Sequence, residues 1–370
     1  MTFLKPGQLS RSQFFFLLIH SQTGLVVLTL PYVLGNETGH DGWITVLISA
    51  LIVQLLAYFF FIILKKYPDK TFYDVTIDIF GAFFGKCLNI IIILYYLSAS
   101  LYQAYHCTSI LKLWYYYRTP FWALLFLFIV VGTYILMGDL QSIGQFMTVA
   151  IGVIIFMLLL LMFNLKSLNY QYLLPIGEEG ILSILKATRS GTWAFSGFEV
   201  FLFLHPFVMT SQKKIMRTIS ASIWAVAFLY LLATIIVFMY FPNASKNIAN
   251  SVVYYIIPIH STAIVRIEVF FICGYAVLMG TTFLTHMYIA LTGLARFAKK
   301  KDHKRLVPVT VILIYVSGLI VHHVAGRYAP LVFNITEYVY SFVFLLIAAV
   351  IAAILYYRSR KEKGRSTNET

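Results

Sequence analysis

Ten apolar runs, each near the ~20 residues needed to cross roughly 30 Å of hydrocarbon, recur along this 370-residue chain. They fall at about 10–34, 43–64, 83–110, 121–137, 143–163, 187–206, 217–241, 262–297, 306–323 and 332–357. The run at 306–323 is short, and that at 262–297 fits a long tilted helix or one with an interfacial extension. Only 11% of residues are charged, against about 25% in a soluble domain, and the mean hydropathy is +0.84. These values describe an integral membrane protein. The first run is too long for a cleaved signal, is flanked by polar residues and is followed by no small-residue cleavage site, so it counts as structure.

Charge gives the orientation. The N-terminus, the loops at 65–86, 207–217 and 296–305, and the tail hold 20 of the 28 Lys and Arg residues, which places them and both termini on the cytoplasmic side. The net charge of +14 therefore follows from topology and does not mark a nucleic-acid surface. The longest polar stretches, 65–81, 164–186 and 242–261, are each too short to build a core. Residues 1–370 read as a single transmembrane domain ending in a basic cytoplasmic tail at 358–370. Cys87, Cys107 and Cys273 read as small core residues with no disulfide or metal spacing. No cofactor is expected, and phosphate-loop, dinucleotide, nucleophile-elbow and zinc-helix motifs are missing, as is a filter motif or charge ladder of a channel.

Two runs carry interruptions near their middles: Gln22-Thr23-Gly24-Leu25 and Phe195-Ser196-Gly197-Phe198-Glu199. Backbone leaves the helical ladder at bilayer depth only where protein or a water-filled cavity supplies partners for the freed N–H and C=O groups. Each break is followed by a proline, Pro31 and Pro206, which kinks a helix. The seam at 164–186 divides the chain into a first repeat at about 10–163 and a second at about 187–323 continuing to 357. Five spans per half invert the second half relative to the first, the arrangement in which transporters bind solutes between discontinuous helices at the midplane.

Glu199 is an acid inside an apolar run, a placement that costs about 2.5–3.5 kcal/mol on insertion scales unless the group is paired or protonated. It reads as a proton site, a partner for an ammonium group, or an acid bonded to nearby hydroxyls. His20, His106, His205 and His286 lie in or beside the runs without metal-like spacing. Tyr95, Ser98, Tyr102 and Tyr105 form a hydroxyl stripe on the third span, and Gly280, Thr281, Thr282 and Thr285 reach similar depth on the eighth. Both helices are expected to wall a pocket. Arg266 and Glu268, two residues apart, are not expected to face each other on a helix.

The stretch from Lys5 to Leu9, Ser10, Gln13, Thr29-Leu30-Pro31, Gly39-His40-Asp41-Gly42-Trp43-Ile44, Gly197-Phe198-Glu199 and the short basic tail resemble the spore germination permease family. These are the B subunits of nutrient germinant receptors, and the family is similar to the amino acid, polyamine and organocation permeases. The resemblance implies an all-α membrane protein of ten transmembrane helices, a LeuT-type 5+5 inverted repeat with helices 1 and 6 broken. It also implies a place in the spore inner membrane, a small germinant such as an amino acid, and work with a larger A subunit and a lipoprotein C subunit. Some proton-coupled relatives carry a lysine in the fifth span; here 143–163 has no charged residue, which favours sensing over active transport.

The expected site is built on the breaks. N–H groups around Thr23, Gly24 and Leu25 receive a carboxylate, carbonyls near Ser196 and Gly197 together with Glu199 receive an ammonium group, and Phe198, Tyr102 and Thr285 shape the rest. The alternatives are a proton-coupled amino acid permease, in which Glu199 exchanges its proton, and a scaffold subunit with a vestigial pocket. On this reading Gly24→Trp abolishes the ligand response of a protein that still reaches the membrane, and a normal response in a well-expressed variant would remove the site.

Overall fold

Residues 7–24, 26–242, 251–257, 266–300 and 302–325 are described by a computed structural model. Leu25, the start of the eighth run, the tenth run at 332–357 and the basic tail lie outside the described residues. The helices are α1 (Arg11–Gln22), α2 (Val26–Thr38), α3 (Gly42–Leu64), α4 (Phe72–Trp114), α5 (Phe121–Leu136), α6 (Leu140–Met162), α7 (Gly180–Ala194), α8 (Phe201–Leu204), α9 (Gln212–Tyr240), α10 (Ser251–Ile256), α11 (Ile267–Phe297) and α12 (Val307–Ile320).

Six helical stretches among the described residues are long and apolar enough to cross a membrane: Val26–Leu64, Phe72–Trp114, Leu140–Met162, Gln212–Tyr240, Ile267–Phe297 and His303–Val324. The first joins α2, the second half of the first interrupted run, to the full span α3 across a 3₁₀ turn at Gly39–Asp41. The pairs α1/α2 and α7/α8 are the halves of the two interrupted runs, each half too short to cross alone.

Helix starts follow local chemistry. Ser10 caps α1 in a reciprocal box with Gln13, which satisfies two orphan N–H groups at once. Just before it, Leu9 N–H donates to Phe207 O at 2.8 Å and Met209 N–H donates to Leu9 O at 3.1 Å. This single parallel bridge ties the entry to α1 to the exit from α8.

Two expectations need correction. Residues 72–80, placed in a loop, are helical: Thr71 and Asp74 form a capping box, and Gly81 at φ +82° turns the chain back on itself. Asn89 Nδ2 consequently donates to Tyr73 O at 2.9 Å, and the Thr76 hydroxyl donates to Asn89 Oδ1 at 2.7 Å. The stretch is too short to span and carries two acids, so hydropathy alone conceals it. Secondly, Arg266 and Glu268 pair at 2.9 Å because Arg266 precedes the first turn of α11 in non-helical backbone, where helical spacing does not apply. Among the cysteines, Cys107 is buried as expected, whereas Cys87 and Cys273 are exposed.

The packing is reciprocal. α1 and α2 lie on α9, α7 lies on α3, and α4 and α11 share the most extensive helix contact. Exchanging the two halves of the chain maps the first contact on the second and the third on itself, as two inverted repeats require. On the outside of the bundle α3 exposes Leu51, Leu55, Phe59 and Ile62, a face suited to lipid. Because nothing lies within 4 Å of a Cβ added at Gly81, Gly81→Ala tests backbone conformation alone. It is expected to cost about 1–3 kcal/mol, read as a lower unfolding temperature in detergent; an unchanged temperature would contradict the positive-φ turn.

Candidate functional site

Both interruptions are real, and they touch. α1 closes when Thr23 N–H donates to Ile19 O at 3.1 Å, and helix resumes at Val26. α7 closes at Ala194, Gly197 takes φ +103°, and a 3₁₀ turn begins at Phe198. A Cβ on Gly197 would overlap the Ser21 carbonyl oxygen, and one on Gly24 would overlap the Thr282 hydroxyl. Glycine thus stands where one break meets the other and where the first meets α11.

Side chains supply what the helices give up. The Ser21 hydroxyl lies 2.9 Å from both Leu18 O and Gly197 O. The Tyr230 hydroxyl, from α9, lies 2.6 Å from Gln22 O and 3.1 Å from Ala194 O, joining the carbonyl ends of both half-helices. Thr282 donates to His20 O at 2.7 Å, and the Thr281 hydroxyl lies 3.1 Å from His20 Nδ1. The Glu199 carboxylate faces its own break: Oε2 accepts from Gly197 N–H at 2.8 Å, and Oε1 accepts from the Tyr95 hydroxyl at 3.2 Å. That hydroxyl is also 3.1 Å from Ser196 Oγ.

Between the breaks lies a cavity of about 20 Å³, walled by α1 (Gln22, with Gly24 beyond it), α4 (Tyr95, Ala99, Gln103), α7 (Trp193, with Ser196 beyond it) and α11 (Thr282, His286). That volume holds about one water molecule. Gln22, Gln103 and His286 are all buried, yet Gln22 Oε1, Gln103 Oε1 and both ring nitrogens of His286 find no hydrogen-bond partner among the described residues. Each such group costs roughly 1–3 kcal/mol, and native structures tolerate few of them.

Of the expected site residues, Gly24 and Ser196 line this cavity. Gly197 forms the contact between breaks. Thr23 is buried with its hydroxyl committed to Ile19 O, and Thr285 is likewise committed to Thr281 O. Phe198 turns toward Phe60 on α3 at 6.3 Å, and Tyr102 packs against His106 at 5.7 Å. Leu25 lies outside the described residues. The α4 wall runs through Tyr95, Ala99 and Gln103 at i, i+4, i+8, a stripe rotated from the one chosen by following hydroxyls. On α11 it runs through Thr282 and His286. The overlap of a Gly24 side chain with Thr282 also makes Gly24→Trp a test of packing as much as of binding.

A second cavity of about 230 Å³ opens at the end of the bundle carrying the α4 start and the α11 end, lined among others by Tyr73, Phe203, Tyr288, Arg296 and Lys300. Arg296 pairs with Asp74 at 3.1 Å on its rim. Phe203 is 5.3 Å from Tyr96, and Tyr96 is 5.5 Å from His286. Two rings therefore stand between this vestibule and the central cavity.

A family model described as "Spore germination protein" matches residues 8–323. The chain belongs to the spore germination protein family. Spore germination protein YndE of Bacillus subtilis (strain 168) is 24% identical over 341 residues, covering 87% of this chain and 93% of that protein. Spore germination protein B2 of the same organism is 28% identical over 216 residues, 58% of each chain. Among solved structures, a Na+-coupled sialic acid symporter in a substrate-bound outward-open state superposes with a TM-score of 0.67 at 8% identity, covering 95% of this chain and 78% of that one. MhsT in complex with L-phenylalanine superposes at 0.64 with 16% identity, covering 95% and 89%. The fold is therefore the expected all-α, LeuT-type one, and this spore germination protein is a multi-pass membrane protein.

Tyr230→Phe removes the hydroxyl that lies against the carbonyl ends of both half-helices. Its stability should fall by about 1–3 kcal/mol, measured by thermal unfolding of the solubilised protein. Gly197→Ala should fall further, since it combines a forbidden φ with a backbone overlap. Wild-type melting in both variants would mean the breaks are held in some other way.

Proposed function

We propose that this chain is the solute-binding membrane subunit of a spore nutrient germinant receptor, taking a small germinant such as an amino acid where the two broken helices meet. The observation that carries this reading is the central cavity: polar groups with no partner among the described residues converge there, at bilayer depth, in a chain of the germination family. The cavity is closed around about one water volume, so solute entry requires the breaks to separate from α4 or α11, and that movement is the signal passed on. The natural recipients are a larger membrane A subunit and a lipoprotein C subunit in the spore inner membrane. In this reading both termini are cytoplasmic, and the repeats are the halves at about 10–163 and 187–323 continuing to 357.

The vestibule behind Tyr96 and Phe203 favours a second reading, a proton-coupled amino acid permease, because it offers a solute an inward exit only two rings from the cavity. Uptake by proteoliposomes under an imposed pH gradient, lost in Glu199→Gln, would select the permease.

A solute that binds only the folded chain stabilises it by about 2.7 kcal/mol at 100 times its Kd. Glycine, L-alanine and L-serine at millimolar concentration are accordingly expected to raise the unfolding temperature of the purified protein. No shift with any small amino acid would reject the binding subunit in favour of a scaffold.

A further inference from the structure

The vestibule opens at the end of the bundle that carries the basic 296–305 loop, and its wall is divided by chemistry. The floor is aromatic, made of Tyr73 from the first turn of α4, Phe203 from α8 and Tyr288 from α11. The mouth is cationic: Arg296 and Lys300 both line it, and no Asp or Glu is among the described lining residues.

The end of α11 brings Lys300 there. The helix stops at Phe297, Lys299 takes φ +52°, and Lys300 N–H donates to Ala295 O at 2.8 Å. Glycine is the usual residue in this left-handed position, because a side chain strains it; Lys299 is the one non-glycine residue with positive φ among the described residues. The turn folds Lys300 back beside the last turn of α11, where Arg296 lies.

These two cations differ in what already holds them. Arg296 donates to the Thr71 hydroxyl, pairs with Asp74 at 3.1 Å and lies over the Tyr73 ring at 5.8 Å. Asp139 serves Lys304 at 2.8 Å, and Asp302 caps the turn that follows it. The Lys300 ammonium is left with no ion-pair or hydrogen-bond partner among the described residues. Deeper in, Tyr288 is 8% exposed, and its hydroxyl likewise has no partner among the described residues. Helix polarity and membrane topology account for bases at this end. They do not account for a cavity of about 230 Å³ with an unpaired ammonium at its mouth and a buried O–H on its floor.

We propose that the vestibule is an oxyanion site, taking a phosphate-class group between Lys300, Arg296 and the Tyr288 hydroxyl. The ammonium supplies charge and three donors, the guanidinium the N–H groups that Thr71 and Asp74 leave over, and the tyrosine one O–H. Donors at two depths, cations at the mouth and a hydroxyl on the floor, suit a tetrahedral group better than a planar carboxylate. Two sources present that chemistry at a membrane boundary, an anionic phospholipid headgroup and free phosphate. Tyr96 and Phe203 divide this site from the central cavity, so it stands whether or not a solute binds there.

Isothermal titration of the purified full chain in phospholipid-free detergent, at fixed ionic strength, tests this with inorganic phosphate, short-chain phosphatidylglycerol and short-chain phosphatidylcholine. Wild type is expected to bind one of the two anions at least tenfold more tightly than phosphatidylcholine. Tighter binding of phosphatidylglycerol identifies lipid as the source, and tighter binding of phosphate the soluble ion; either supports the site. Lys300 is exposed, so Lys300→Gln should fold normally and weaken anion binding tenfold or more, with Lys300→Arg within threefold of wild type. Tyr288→Phe should weaken it in the same direction. Lys304→Gln, outside the lining, should stay within threefold. Wild-type affinity in Lys300→Gln, an equal loss in Lys304→Gln, or no binding of either anion by wild type would overturn the proposal.

Discussion

A backbone that stops being helical inside hydrocarbon must find new partners for its freed groups, because no water is there to take them. The architecture around α1/α2 and α7/α8 answers that constraint. The Tyr230 hydroxyl lies against the carbonyl ends of both half-helices, the Ser21 hydroxyl reaches across to the second break, Thr282 serves the His20 carbonyl, and Glu199 folds back to receive the Gly197 N–H. Each break is thus satisfied partly by the other break and partly by α9, α11 and α4. Neither could exist alone, and so the two must meet.

The same economy explains the cavity. Beside the groups that hold the breaks, Gln22 Oε1 on α1, Gln103 Oε1 on α4 and the His286 ring nitrogens on α11 are left without partners among the described residues. A packed core would cover such positions with apolar side chains. Here Gln22, Gln103 and His286 stand there instead, in a space too small for more than about one water. Glu199, whose two oxygens are engaged at the second break, is absent from the lining despite its prominence in the sequence. The segments flanking both broken helices are joined by the bridge between Leu9 and the 207–209 segment.

Much of this was legible in the residues. Gly24 and Gly197 announce the breaks because small residues with polar neighbours stand out in apolar runs, and the paired spacing makes an inverted repeat the natural reading. The walls were harder. A helix stripe depends on rotation about its axis, which hydropathy does not set when a span faces protein on most sides; following the hydroxyls of Tyr95, Ser98 and Tyr102 leads away from Ala99 and Gln103. Thr285 and Thr282 lie on one helix three residues apart, and only packing against Gly24 decides between them. The fold-back at Gly81 had a visible signal in the Thr71–Asp74 capping box, hidden because the helix it starts is too short to span. The Arg266–Glu268 pair depended on where α11 begins, and a helix boundary is the least determined feature of any sequence.

The central claim is that both breaks close on the same solute. Hydrogen–deuterium exchange of the purified chain with and without saturating L-alanine addresses it most directly. The account predicts slower exchange in peptides covering both 18–24 and 193–199, with lipid-facing stretches of α3 unchanged. Protection of one break only, or of neither while L-alanine is demonstrably bound, would contradict it.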